Sequence, residues 1–216
     1  VEWNSKVRDL ITKYCEKYVK EIPGSEIKID MTTIPFKWES HSWIEDLQKI
    51  ALSKFFRDKI INSFKELISV DWPYKKDHTI IISHSFGAVW VYKAVMRLLK
   101  EKRLSSNLSN IMLGGALGGT NLPFGGVYVK ALREKESLPK VPPNFDRWYN
   151  FYNPDDYVST KLFIPGVKNI KIDIKDFDPG LDEHDANYYI DHPEFEKALK
   201  EIIDLVIKKK YSTTQP

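Results

Sequence analysis

The sequence has one cysteine, no long apolar run and almost no excess of one charge, and each shortage excludes a class of protein. A single cysteine, Cys15, cannot form an internal disulfide or a cysteine-rich zinc site. The apolar runs stay short of the roughly 18–20 residues that a membrane span needs. The 33 basic and 30 acidic side chains leave a net charge of +3, so nucleic acid is not the expected main partner.

Motifs for bound cofactors are also lacking. The sequence holds no His-x-x-x-His pair, no carboxylate–histidine helix motif and no Gly-Lys-Ser/Thr phosphate loop. The glycine-rich stretch GGALGG at 114–119 follows a strand pattern but opens no clear helix, so it does not match a dinucleotide loop. We therefore expect neither a metal nor an organic cofactor.

The remaining composition is that of a globular protein. Of the 216 residues, 42% are hydrophobic and 29% are charged, which supplies enough apolar material for a sizeable core. We expect one domain over residues 1–210 and a flexible tail at 211–216. The first 20 residues carry no signal-peptide pattern and the lone cysteine fits a reducing compartment, so we expect a cytoplasmic protein.

Helical and strand patterns alternate along the chain. Apolar residues recur at helical spacing in 3–20, 43–68, 88–99 and 193–209. Strand patterns occupy 26–34, 79–82, 111–113, 148–152 and 167–174. This alternation predicts an α/β fold, a three-layer sandwich in which a mostly parallel sheet is flanked by helices. The glycine- and proline-containing stretch 114–143 is the candidate for a small cap or lid insertion.

The most informative segment joins a strand to a helix through a turn of small residues. The apolar run 80–82 (III) is typical of a strand buried on both faces, and the turn 83–87 (SHSFG) leads directly into the next helix. A nucleophile elbow requires this order, because it places the central residue, Ser85, strained and exposed at the end of the strand. Backbone N–H groups at such a turn, including that of Phe86, can face a developing oxyanion. The alternative interpretation is a serine-rich turn that caps a helix.

This segment resembles the α/β-hydrolase family, in its serine esterase and lipase-like branch. The usual motif is Gly-x-Ser-x-Gly, and Ser83 stands here at the first glycine position. The resemblance extends from about residue 1 to residue 210. It implies that Ser85 is the nucleophile of a carboxylic ester hydrolase and that the N–H of Phe86 belongs to the oxyanion hole.

In this family an acid and then a histidine follow the serine along the chain. The segment 148–158 (WYNFYNPDDYV) is similar to the Asp-x-Val turn of lipase-like members, which implies Asp156 as the acid, with Asp155 as its rival. Asn-Pro-Asp-Asp is also strong turn chemistry by itself. The base is expected in a loop at 175–191, which implies His184, with His192 as the alternative and a surface histidine as the other interpretation.

The remaining histidines are weaker candidates for the base. His41 and His78 lie at the edges of predicted elements, where we expect surface or capping roles. His84 stands beside the nucleophile, where we expect its side chain to pack near the site without acting as the base.

The resemblance is weakest at the front of the chain. Family members take a second oxyanion-hole N–H from a loop after a strand that precedes the helix at 3–20, and the sequence, which begins Val1-Glu2, has no such strand. The strand would lie between those at 26–34 and 79–82, so the fold is expected to lack the N-terminal strands. We expect a preceding N-terminal segment to supply it; a second chain completing the sheet, or a rearranged sheet, are the alternatives.

Three functions remain open at this point. The first is hydrolysis of a small or medium acyl ester through an acyl-enzyme on Ser85, with apolar residues at 117–128 as candidates for an acyl pocket. The second is a non-catalytic binding protein that has kept the α/β-hydrolase fold. The third is an acyltransferase or thioesterase with the same triad, Ser85, Asp156 and His184.

Overall fold

The computed structural model describes residues 2–21, 54–69, 78–85, 87–115, 117, 140–156, 158–173 and 185–212. Its elements, in chain order, are α1 (Glu2–Glu21), α2 (Lys54–Ile68), β1 (Thr79–His84), α3 (Gly87–Lys100), β2 (Leu108–Leu113), β3 (Phe145–Tyr152), β4 (Lys168–Lys171), α4 (Ala186–Ile190) and α5 (Pro193–Ser212). The predicted strand at 26–34, the start of the helix predicted at 43–68, most of the candidate cap at 114–143 and the end of the tail lie outside the described residues.

The four described strands form one sheet in the order β1-β2-β3-β4, and every neighbouring pair is parallel. The prediction of an α/β fold with a parallel sheet is therefore confirmed at the level of class. The register pairs His84 with Leu113 and Leu113 with Phe151. Because all four strands run the same way, their carboxyl ends lie at one edge of the sheet.

The strand boundaries differ from those that the sequence predicts. β2 begins at Leu108 and β3 at Phe145, each three residues earlier than expected, and both early stretches contain polar side chains. All six residues of β2 are buried. A strand with neighbours on both sides is buried by its position in the sheet, so its polar residues do not mark an end. β4 is shorter than predicted and stops at Lys171.

Helix α3 buries apolar residues along nearly its whole length. It buries Ala88 through Met96 and also Leu98. All of these residues except Lys93 form one core cluster with Ile61 and Ile68 of α2 and with Met112 and Trp148 of the sheet. Each fully buried aliphatic or aromatic side chain of this kind contributes on the order of 1.5–3 kcal/mol, so the start of α3 is held firmly against the strand ends.

The chain divides into two compact units, and the second is built from α1, α4 and α5. Tyr14 of α1 donates a hydrogen bond to Glu196 of α5 at 2.6 Å, and Tyr18 donates to Asp204 one turn further along. Burial, followed by these hydrogen bonds, raises the pKa of each tyrosine to about 12. Cys15 lies buried on α1 as a free thiol, and burial raises its pKa.

Short helix α4 occupies part of the window that the sequence predicts as loop. Asp185 caps it, because its carboxylate accepts the backbone N–H of Asn187 at 2.9 Å. None of the helices in the described part of the chain combines the length and the apolar character that crossing a membrane requires.

Candidate active site

Ser85 takes a backbone conformation that is unusual for its residue type. Its φ is 56°, in the left-handed region that glycine adopts readily and other residues do not. Its N–H donates to the carbonyl of Leu113 at 3.1 Å, and its own carbonyl accepts the N–H of Ala88 at 3.2 Å. These two bonds tie the turn to β2 on one side and to α3 on the other. They hold a strained residue between a strand and a helix, the conformation expected of a nucleophile elbow.

Among the described residues, two others with side chains share this conformation, and both have ordinary reasons for it. Lys102 follows α3, where its N–H bonds to Leu99 and the next N–H bonds to Leu98, as at many helix ends. Asn107 precedes β2, and asparagine tolerates the left-handed region well. Ser85 is not an asparagine and follows a strand instead of a helix, so its strain needs another explanation.

The close packing near this turn lies at Gly115 and not at Gly87, the glycine of the turn itself. A methyl group at Gly87 would meet no atom within 4 Å, so packing in the described structure does not demand glycine there. A methyl group at Gly115 would lie 3.1 Å from Cβ of Ala88 and 3.6 Å from Cβ of Met112. The close approach is therefore between the first turn of α3 and the end of β2.

Asp156 and Asp155 sit in the same turn but in opposite environments. Asp156 is 1% exposed, whereas Asp155 is exposed. Oδ1 of Asp156 accepts the backbone N–H of Val158 at 2.8 Å and that of Ser159 at 3.3 Å, which offsets the cost of burying the carboxylate. Of the two candidates that the sequence offers, Asp156 is the one whose orientation is fixed.

Ser85 and the Asp156 turn follow the ends of β1 and β3, at the same edge of the sheet. One strand, β2, lies between β1 and β3, so the ends of these two strands are two strand spacings apart, about 10 Å. An imidazole bonded to both a serine and a carboxylate spans a gap of this order. Two residues assigned to the site by resemblance, Phe86 and His184, lie outside the described residues.

His192, the alternative base, lies at the start of α5. Its Nδ1 accepts the backbone N–H of Glu194 at 3.3 Å, and its carbonyl accepts the N–H of Phe195 at 2.9 Å. These bonds satisfy free N–H groups in the first turn of the helix, so His192 acts there as a cap.

The structure brings a serine, a histidine and an aspartate together at a place that the sequence did not reveal. Nε2 of His78 lies 3.0 Å from Oγ of Ser109, and its Nδ1 lies 3.6 Å from Asp146. The surface role expected of His78 is wrong, because its side chain is 5% exposed. Ser109 is wholly buried within a strand paired on both sides, so no substrate reaches it. We interpret the cluster as a structural tie across the amino ends of three strands.

Within the described ranges, no group of three or more His, Cys, Asp or Glu side chains is placed to hold a metal ion. No family model, curated protein or solved structure matches the chain. Function is therefore inferred from the residues and their geometry alone.

Proposed function

We propose that the protein is a serine hydrolase with an α/β-hydrolase fold, which cleaves a carboxylic ester through an acyl-enzyme on Ser85. The observation that carries the proposal is the left-handed Ser85 at a strand–helix junction, beside α3 and at the same sheet edge as Asp156. Strain at a serine in this position costs of order 1–3 kcal/mol and persists only where the surroundings enforce it. A nucleophile elbow explains the strain, because the sharp turn exposes the serine Oγ beyond the end of the sheet.

The reaction has two halves. Oγ of Ser85 attacks the ester carbonyl while His184 takes the serine proton, and the alcohol leaves with that proton as the acyl-enzyme forms. His184 then takes a proton from water, the hydroxide attacks the acyl carbon, and the acid leaves as the proton returns to Ser85. Asp156 orients the imidazole and stabilises its charged form during both halves.

The start of α3 supports the developing negative charge. The free N–H groups at a helix start carry a partial positive charge, and Gly87 begins α3 two residues after the nucleophile. The N–H of Phe86 completes this side of the proposed oxyanion hole. An oxyanion-hole donor contributes on the order of 10²–10³ in rate.

The test is labelling with a fluorophosphonate, followed by mass spectrometry of the modified peptide. The reagent reacts with an activated serine and needs no knowledge of the substrate. We expect a label on Ser85 that is lost in Ser85→Ala and retained in Ser109→Ala. We expect the labelling rate to fall at least a hundredfold in His184→Ala and Asp156→Asn, and to change little in the matched variants His192→Ala and Asp155→Asn.

Absence of a label on Ser85 in the folded protein would overturn the proposal. A rate that survives His184→Ala but falls in His192→Ala would reassign the base. A rate that depends on Asp155 and not on Asp156 would reassign the acid.

A further inference from the structure

Two asparagine side chains face each other across the last two strands of the sheet. Asn150 of β3 and Asn169 of β4 are register partners, and Nδ2 of Asn150 donates to Oδ1 of Asn169 at 2.9 Å. Asn150 is wholly buried. A buried amide is costly unless it is hydrogen bonded, so the pair needs a structural reason.

The pair holds the backbone of the β3–β4 connection. Oδ1 of Asn169 accepts the N–H of Leu162 at 2.9 Å, and Nδ2 of Asn169 donates to the carbonyl of the same residue at 2.9 Å. Nδ2 of Asn150 also donates to the carbonyl of Thr160 at 3.0 Å. The two amides therefore clamp residues 160–162 as a neighbouring strand would, although this segment belongs to no strand.

The clamped segment continues directly into the turn that holds Asp156. Ser159, next to Thr160, donates its N–H to Oδ1 of Asp156 at 3.3 Å. Oγ of Ser159 accepts the N–H of Asn153 at 3.3 Å, so the two ends of the turn are bonded to each other. A continuous run of hydrogen bonds and covalent bonds thus links Asn169 to the Asp156 carboxylate, although Asn169 does not contact it.

The geometry points to Asn169 as a positioning residue, which together with Asn150 fixes the Asp156 carboxylate against the catalytic histidine. The inference rests on the proposed function. Catalytic groups act only when they are held within a fraction of an ångström of the reacting geometry, and a displacement of about 1 Å can lower a rate on the order of 10²-fold. Loosening the clamp leaves all three reacting side chains present but frees the turn that carries the acid.

The test compares Asn169→Ala with Asn110→Ala in the full chain. Asn110 is a matched control, because it is a buried asparagine of the same sheet whose amide makes no hydrogen bond within the described residues. The readouts are the fluorophosphonate labelling rate at Ser85 across pH and the thermal unfolding of each variant. Asn169→Asp is the second variant, because it keeps the acceptor for Leu162 but replaces the donor with a charged acceptor oxygen.

We expect Asn169→Ala to lower the labelling rate by tenfold or more, and Asn169→Asp to lower it by less. We also expect the pH at which the rate reaches half its plateau to fall, because a misplaced Asp156 stabilises the charged imidazole less. Asn110→Ala is expected to keep the wild-type rate and midpoint. If Asn169→Ala does not fold, Asn169→Asp is compared with Asn110→Ala by the same two readouts.

The outcomes separate this inference from the proposed function. Label on wild-type Ser85 together with equal rates and midpoints in the Asn169 and Asn110 variants would overturn the positioning role alone. A lower unfolding temperature in the Asn169 variants together with an unchanged labelling rate and midpoint would show that Asn169 acts only on stability, which also overturns it. No label on wild-type Ser85 would overturn both.

Discussion

The N–H of Ser85 donates to the carbonyl oxygen of Leu113 at 3.1 Å, one residue beyond the end of β1. The parallel ladder therefore continues up to the residue at which the chain bends into the left-handed region. Because the bond comes before the bend, the sheet holds Ser85 in place while its own φ is strained.

Removing the strain at Ser85 is expected to stabilise the protein. A left-handed residue with a side chain costs roughly 1–2 kcal/mol relative to glycine. We expect Ser85→Gly to be about 1 kcal/mol more stable than Ser85→Ala, although neither variant can be labelled at this position. Urea unfolding of the two variants measures the difference. Equal stabilities, or a more stable alanine variant, would contradict the assignment of strain.

Asn110 offers a second stability test, since it is wholly buried between Ile81 and Trp148 in the register. Neither its Oδ1 nor its Nδ2 has a hydrogen-bond partner among the described residues. We expect Asn110→Val to raise the free energy of unfolding by about 1–2 kcal/mol, because it removes an unpaired amide from a strand that favours valine. The control is Asn150→Val, which removes a bonded amide and should destabilise. A loss of stability in Asn110→Val would show that the amide is bonded after all.

The cluster at the amino ends of the strands is expected to contribute to stability and not to activity. We expect Ser109→Ala to cost about 1 kcal/mol and His78→Ala to cost more, because the imidazole also lies 3.6 Å from Asp146. A double-mutant cycle between His78 and Ser109 should give a coupling of about 0.5–1.5 kcal/mol. The labelling rate at Ser85 should stay unchanged in both variants. A fluorophosphonate adduct on Ser109 would refute the structural interpretation.

The α1–α5 helix pair is expected to lose stability at alkaline pH. The pKa values of Tyr14 and Tyr18 are raised to about 12 from an ordinary value of 10.0. The unfolded chain therefore releases these protons first, so their contribution is complete below pH 10 and declines as pH rises towards 12. Urea unfolding followed by helical circular dichroism at pH 9 and pH 11 measures the decline. In the Tyr14→Phe/Tyr18→Phe variant the decline should be smaller, and an equal decline would contradict the prediction.

Low pH is also expected to destabilise the α1–α5 helix pair. Hydrogen bonds from Tyr14 and then Lys13 lower the pKa of Glu196. Burial works against the shift at Asp204, but hydrogen bonds from Lys200 and Tyr18 lower its pKa as well. The contribution of these carboxylates is therefore present above their ordinary pKa values, 4.5 and 3.8, and is lost as pH falls through the lower folded values. Unfolding measured from pH 5 to pH 2 in wild type and in Glu196→Gln tests this, and parallel curves would exclude it.

The sequence predicted those elements whose buried residues are apolar, because their spacing is visible within one segment. The apolar run before Ser85 predicted β1, and the spacing in 88–99 predicted α3 to within one residue at each end. β2 was predicted only from Ile111, because Ser109 and Asn110 are polar. Their burial comes from the strands on either side, and the order of strands in a parallel sheet cannot be read from one segment.

The site divides in a similar way. The order strand, turn and helix singled out Ser85, and the resemblance to the Asp-x-Val turn of lipase-like members singled out Asp156, with Asp155 as its rival. The burial of Asp156 and the exposure of Asp155 could not be derived from the turn residues themselves, because they depend on which of the two side chains the turn directs inward. The partners of His78 and Asn150 lie 31 and 19 residues away, so only the register brings them together.

The buried Cys15 is a natural reporter of local opening in the unit built from α1, α4 and α5. It is the one cysteine in the sequence and lies on α1, so each alkylated molecule carries one adduct whose rate of formation follows the opening of that helical unit. Because burial raises the pKa of the thiol, the closed form reacts slowly and the background is low. A thiol reagent and a fluorophosphonate added to one sample would thus follow the two compact units separately in one mass spectrum.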